Sequence, residues 1–214
     1  AEVPEPGPGE VRVAIRAVSL NYRDHLMVQG AYDPRVPLPL VPCSDAAGVV
    51  EATGEGVQTP IGERVAIAFA PCWKDGPQTV RALRCALGGP APGVLASQIV
   101  VPADAVVRVP DHLSFEEAST LPCAGVTAYN ALQACGIGRG DKLVTLGTGG
   151  VSVWALQLAV ARGARVLVTS SSAEKAERAR RLGAEATLDY QADPRWGRAA
   201  YDHFDGADGV VEVG

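Results

Sequence analysis

The sequence lacks the marks of several large protein classes. Aromatic residues make up only 5% of its 214 positions, histidine occurs three times and methionine once. No apolar run reaches the ~18 residues that a membrane-spanning helix needs, so no membrane partner is expected. The longest candidate, residues 151–161, carries Ser152 and Gln157, ends at Arg162 and reads as a buried helix. Basic charge is not in excess either: 19 Lys and Arg stand against 24 Asp and Glu, a formal net charge of −5. Nucleic-acid binders present a basic face, so no nucleic-acid partner is expected. The sequence does not open on a basic stretch followed by an apolar one, the pattern of a secretory signal. Its five cysteines, Cys43, Cys72, Cys85, Cys123 and Cys135, are odd in number, widely spaced and form no C-x-x-C. A disulfide framework is not expected, and a reducing cytoplasm is the default compartment.

What is present is 47% apolar, enough for globular cores. It falls into two regions with different patterning. Residues 1–111 read mostly as β. Residues 11–15 alternate apolar and polar at a period of two, and residues 47–52, 64–68 and 97–101 are further strand candidates. Pro and Gly punctuate the gaps, which suggests a small barrel or sandwich. Residues 74–93, rich in Gly and Pro, read as a long functional or mobile loop. The pattern changes at Asp111. Ser114 and Glu117 fit a capping box, in which hydroxyl and carboxylate satisfy the free donors of a helix start. Residues 125–134 read as helix, with Gly136 as a left-handed cap. Then come a strand at 142–146, a helix at 150–162, a strand at 165–169, a charged helix at 173–182, and strands at 186–190 and 209–213. Strand and helix in alternation over 112–214 predict a parallel sheet with crossover helices.

The most informative segment is Gly147-Thr148-Gly149-Gly150-Val151-Ser152, placed between a strand and a helix. Glycines permit a tight turn and close backbone approach, and the N–H groups and dipole of the next helix attract phosphate. The dinucleotide pattern G-x-G-x-x-G is met except at its last position, where Ser152 is small enough for helix and strand to pack. An NAD site normally carries Asp or Glu ~20 residues further on, bonded to the ribose 2′-hydroxyl. Here the next strand runs into Thr169, Ser170, Ser171 and Ser172, followed by Glu174 and Lys175. Ser hydroxyls and a Lys ammonium attract a 2′-phosphate, so NADP(H) is favoured over NAD(H). The serines also suit a plain helix cap.

Taken together, Ser19–Asp24 (SLNYRD), Ala46–Glu51 (AAGVVE), Gly62–Val65 (GERV), Leu121–Gly125 (LPCAG) and Gly147–Gly150 (GTGG) resemble signatures of the medium-chain dehydrogenase/reductase superfamily. The closest resemblance is to its zinc-independent, quinone oxidoreductase-like branch. The resemblance implies a GroES-like β domain over 1–111 and a Rossmann NAD(P)-binding domain over 112–214, with hydride transfer in the cleft between them. Zinc-dependent members use a Cys, a His followed by Glu, and a Cys; here those positions hold Asn21, Ser44-Asp45 and Cys123. Asn and Ser are poor Zn²⁺ ligands, so no zinc is expected. A metal held by Cys43, Cys123 and one of His25, His112 or His203 is the minority alternative, and Cys72 and Cys85 are too few for a structural zinc lobe. The resemblance places Asn21 and Tyr22 near the nicotinamide as candidate catalytic residues and Thr127 near the nicotinamide or its ribose. Tyr190, at the end of the third Rossmann strand, is a candidate contact for adenine or 2′-phosphate.

Without a metal to acidify an alcohol, reduction of a C=C bond conjugated to a carbonyl is the easier chemistry. The expected substrate is a quinone or an α,β-unsaturated carbonyl. Two alternatives stay open: an alcohol dehydrogenase with a vestigial zinc site, and a non-catalytic NADPH-binding protein. A full Rossmann sheet has six strands and this chain offers four, so it reads as incomplete at the C-terminus, a part of a longer homodimeric enzyme, weakly active or inactive by itself.

Overall fold

The structure, a computed structural model, describes residues 4–213; residues 1–3 and Gly214, the outer ends of the two expected regions, lie outside it. The chain divides into two compact units, Ala1–Cys123 and Ala124–Gly214. The break comes later than the change of pattern at Asp111. Helix α3 (Phe115–Ser119) stays with the first unit because Ala118 is buried against Ala47, Ala66 and Val109.

The first unit is built on an antiparallel sheet of β1 (Glu10–Ser19), β2 (Asp45–Thr53), β3 (Arg64–Ile67), β4 (Gln98–Pro102) and β5 (Val106–Arg108). Its order is β4-β1-β2-β3-β5. The period-two alternation has a direct structural cause. Val11, Val13, Val50, Val65 and Ile67 project from the strands to one core and are almost fully excluded from solvent. Registers Val13↔Val50 and Val11↔Val101 stack them in neighbouring strands. Gly48 in β2 is required sterically, since a Cβ there would stand 2.2 Å from the Ala14 carbonyl oxygen. The four strands expected from the pattern are present. The short β5 and helix α1 (Tyr22–Val28) are additional, and the 74–93 loop contains one short helix, α2 (Val80–Leu83). Helix α1 escapes a periodicity reading because only seven residues carry it and Val28 at its end is 75% exposed.

The second unit is a parallel sheet of β6 (Lys142–Thr145), β7 (Arg165–Thr169), β8 (Ala186–Leu188) and β9 (Gly209–Val211), in the order β8-β7-β6-β9. Its helices are α4 (Val126–Ala134), α5 (Gly150–Ala161), α6 (Ala173–Arg181) and α7 (Trp196–Phe204). In chain order the strands run third-second-first-fourth, the first half of a Rossmann arrangement. Both faces are covered, which explains the uninterrupted apolar strands. Leu143, Val166 and Val168 pack under Leu132, Ala155, Leu156 and Ala159, whereas Val144 and Leu167 pack against Ala200 and Phe204 of α7. The strand order reverses between β6 and β9, and ligands of open α/β sheets sit beyond the strand ends at such a point. The residue following β6 by two is Gly147. No helix of the described residues is long and apolar enough to cross a membrane.

The crowding at Gly48 gives a test. Gly48→Ala is expected to lower unfolding stability by about 1–3 kcal/mol through overpacking between central strands. Urea denaturation measures it, and an unchanged midpoint would show that β1 and β2 separate more easily than their register implies.

Candidate functional site

In the second unit, the β6–α5 connection makes one wall of a cavity of about 230 Å³. Gly147, Thr148 and Gly149 line it from the turn; Ser170, Ser171 and Lys175 line it from the end of β7 and the start of α6; Tyr190 closes it beyond β8. Gly147 has φ +73°, a conformation that favours glycine. Its N–H donates to the Thr169 hydroxyl at 2.9 Å, tying the turn to the end of β7. Gly149 is different. It caps α5 with φ −76° and ψ 176°, angles open to any residue, and a Cβ there would meet no atom within 4 Å. Nothing in the protein therefore demands a glycine at 149. The missing side chain leaves room beside the start of α5, where no side chain caps the helix.

Gly150, Val151 and Ser152 lie outside the cavity lining. Gly150 is kept small by packing, with a Cβ there 3.3 Å from the Ala124 methyl. Ser152 is 2% exposed and its hydroxyl donates to the Leu146 carbonyl at 2.7 Å, so it is spent on closing the turn. Thr127 is exposed in the first turn of α4 and does not line the cavity either.

The serine segment has a division of labour. Ser170 is buried, and its hydroxyl is engaged with the backbone of Ser172 at 3.2 Å. The Ser172 hydroxyl accepts the Lys175 N–H at 3.4 Å and caps α6. Ser171 is exposed, and its hydroxyl accepts from the Tyr190 phenol at 3.1 Å, which fixes the cavity's far wall. Glu174 is turned away to Arg178 at 2.6 Å. Lys175 has no carboxylate within ion-pair distance among the described residues, so the cavity carries an uncompensated positive charge.

In the first unit a polar cluster gathers around Asp45. Its carboxylate is fully buried at the head of β2. One oxygen accepts the Ser44 hydroxyl at 2.6 Å and the other accepts the Cys123 N–H at 2.9 Å. Cys123 is delivered by one wide, π-helical turn over Leu121–Gly125. Burial pushes the Asp45 carboxyl up from the ordinary value of 3.8, while hydrogen bonds from Ser44, Asn21 and Cys123 oppose the shift. Burial also pushes the Cys43 and Cys123 thiols up to about 11, which leaves both protonated at neutral pH.

Asn21 precedes α1. Its N–H donates to Asp24 at 2.8 Å, and its side chain lies against Asp45 with Nδ2 buried and lacking a well-formed hydrogen bond. Arg23 is anchored by donating to the Leu87 and Gly89 carbonyls at 3.1 and 2.9 Å, lies over Phe69 and Tyr32, and stands 3.8 Å from Asp24. Tyr22, by contrast, is 77% exposed. Among the described residues no three His, Cys, Asp or Glu side chains converge to hold a metal ion. Sequence reasoning misses Asp45 as the hub of this cluster. Its partners lie far apart in the chain, and the only signal is the acid following Ser44.

The strand order and glycine turn define a dinucleotide-binding α/β unit joined in one chain to an antiparallel β unit. Residues 7–111 match the alcohol dehydrogenase GroES-like domain, and residues 150–214 match the zinc-binding dehydrogenase family. The chain belongs to the medium-chain dehydrogenase/reductase superfamily. It is 46% identical over 220 residues to a zinc-type alcohol dehydrogenase-like protein of Schizosaccharomyces pombe, covering 100% of this chain and 64% of that protein. Among solved structures, an NAD-dependent alcohol dehydrogenase superposes with a TM-score of 0.86 at 36% identity, covering 98% of this chain and 64% of the other. The quinone oxidoreductase of Thermus thermophilus, also solved with NADPH, gives 0.73 at 33%, covering 100% and 61%. The chain thus spans somewhat less than two thirds of the relatives it matches.

The Asp45 cluster predicts two separable outcomes. Asp45→Ala strips the acceptor from two buried donors and is expected to cost about 1–3 kcal/mol in urea unfolding. Asp45→Asn keeps an acceptor and removes the charge. A carboxyl whose folded pKa lies above its unfolded value contributes stability at low pH that is lost as pH rises from 3.8 through the folded value. The Asn variant is expected to lose that decline, and an unaltered pH–stability profile would show that Asp45 does not titrate as its burial implies.

Proposed function

We propose that this chain provides the NADP(H) site and carbonyl-facing residues of a zinc-independent reductase acting on a quinone or α,β-unsaturated carbonyl. The observation that carries the cofactor reading is the bare Gly149 backbone beside an uncapped α5, a cradle that a Cβ would fill and no protein atom requires. A diphosphate fits there because uncapped helix N–H groups and the helix dipole favour an anion. The 2′-phosphate of NADP fits the opposite wall, where Lys175 offers a free ammonium and Ser171 a hydroxyl, with Glu174 neutralised by Arg178.

The donor set around Asp45 does not suit zinc. Asn21 and Ser44 stand where the zinc-dependent pattern has Cys and His, and Asp45 has both oxygens engaged. No step is therefore assigned to a metal. When bound, the dihydronicotinamide supplies a hydride for the carbon β to the substrate carbonyl. Asn21 is the candidate donor to the carbonyl oxygen, where negative charge would gather, once its buried Nδ2 turns from Asp45 toward the substrate. Before that turn its amide is held by the backbone bond to Asp24 and by contact with Asp45. Tyr22, exposed at the start of α1, supplies or relays the proton for the α-carbon. The unpaired thiols fit a reducing compartment such as the cytoplasm.

Three measurements test this reading. Gly149→Ala is expected to leave the thermal midpoint close to wild type and to weaken NADPH binding at least tenfold, about 1.4 kcal/mol. Tight binding by that variant would remove the turn from the site. Lys175→Ala is expected to weaken NADPH about tenfold and leave NADH nearly unchanged, and Ser170→Asp to reverse the preference. Equal losses for both cofactors in Lys175→Ala would overturn the NADP(H) assignment. For the reaction itself, turnover of quinones or enones should survive exhaustive chelation. Activity confined to alcohols and abolished by chelation would favour the zinc-type alternative.

A further inference from the structure

Cys72 and Cys85 belong to neither site. Cys72 is exposed, Cys85 is half-buried, and the two flank α2. The Cys72 N–H donates to the Cys85 sulfur at 2.8 Å, and the Cys85 S–H donates to the Ala82 carbonyl at 3.1 Å. The proximity of the Cys85 thiol raises the Cys72 pKa above its ordinary value of 9.0. The Cys85 sulfur thus lies against the Cys72 backbone, the proximity that a disulfide between the two residues requires. No other pair of the five cysteines is brought together by a hydrogen bond among the described residues.

The surrounding chain connects this pair to the Asn21 region. On one side, Phe69 lies under the Arg23 guanidinium at 4.9 Å. On the other, Leu87 and Gly89 accept from Arg23, and a Cβ on Gly88 would stand 2.6 Å from the Cys43 carbonyl oxygen. The Leu87 N–H donates to the Phe69 carbonyl at 3.0 Å, closing the base of the loop. Between these fixed ends, α2 is only four residues long, held by the Thr79 cap at 3.1 Å.

We propose that Cys72 and Cys85 form a reversible intramolecular disulfide by exchange with a low-molecular-weight disulfide such as oxidised glutathione, stiffening the loop that anchors Arg23. One protein thiolate attacks the glutathione disulfide, forming a mixed disulfide and releasing one glutathione thiolate. The second protein thiolate attacks the protein sulfur of that mixed disulfide and releases the second glutathione. Two protein thiols are oxidised, one glutathione disulfide is reduced to two thiols, and the protons leave on glutathione. Exposure of Cys72 gives the reagent access. The raised thiol pKa makes the exchange faster at alkaline pH. The inference does not rest on the proposed hydride transfer.

The test uses the whole chain in glutathione buffers of rising oxidised fraction, followed by alkylation of remaining thiols and trypsin digestion. Lys74, Arg81 and Arg84 lie between the two cysteines, so Cys72 and Cys85 fall on separate peptides. The expected product is one cross-linked peptide pair, released by dithiothreitol. Cys72→Ser and Cys85→Ser should each give a glutathione adduct on the surviving partner in its place. Oxidation should also raise the thermal midpoint of the wild type and not that of either variant. Separate glutathione adducts on both cysteines of the wild type, or cross-links through Cys43, Cys123 or Cys135, would overturn the proposal.

Discussion

Helix α5 begins with backbone N–H groups that no side chain caps, and much of the second unit follows from that constraint. Gly149 stands at the cap position and has no side chain to offer. Ser152, within reach of the cap, has its hydroxyl drawn back to the Leu146 carbonyl. The apolar body of α5 must sit on β6 and β7 to bury Ala155, Leu156 and Ala159, and this points its uncapped end beyond the strand ends. An anion placed there would complete the helix as a capping residue does elsewhere. The serines, lysine and tyrosine that follow β7 and β8 converge on the same end because parallel strands all finish there.

Much of this is legible in the sequence because its causes are local. Period-two alternation marks β1, short apolar runs between Pro and Gly mark β2 to β4, and apolar strands between charged or glycine-bounded helices mark the parallel sheet. The glycine turn is legible because its place between an apolar strand and a helix is set by neighbouring residues. Local causes also decide Lys175: Glu174 reaches Arg178 one helical turn on, a spacing visible in the sequence, and leaves the lysine free. Ser170, Ser171 and Ser172 look alike in sequence and differ in role only through tertiary contacts. One is buried in its own turn, one holds Tyr190, and one caps α6. The short β5 and α1 carry too few residues to register, and α7, though as long as α6, starts without a side-chain cap to announce it. The Asp45 hub is illegible for a stronger reason, since its hydrogen bond to Cys123 joins residues 78 positions apart.

The first unit poses an electrostatic problem whose solution bears on the chemistry. Asp24 and Asp45 are both buried close to Asn21, and two desolvated carboxylates repel each other. A bound dication would neutralise such a pair. Here the compensation comes from the chain. Asp24 accepts the Asn21 N–H and has Arg23 nearby, and Asp45 accepts a hydroxyl and a backbone N–H. Burial moves the Asp45 carboxyl upward, and the hydrogen bonds it accepts oppose that shift. Arg23 supplies the one permanent positive charge, and it is held by two carbonyls and two aromatic rings so that it cannot turn to solvent. A cation ligated by Asp45 would have to compete with the Ser44 and Cys123 hydrogen bonds. The same cluster holds the Asn21 amide buried against Asp45. On the proposed reading, a neutral hydrogen-bond donor here would stabilise an enolate oxygen but would not lower an alcohol's pKa as a metal does, which favours reduction of a conjugated carbonyl over oxidation of an alcohol.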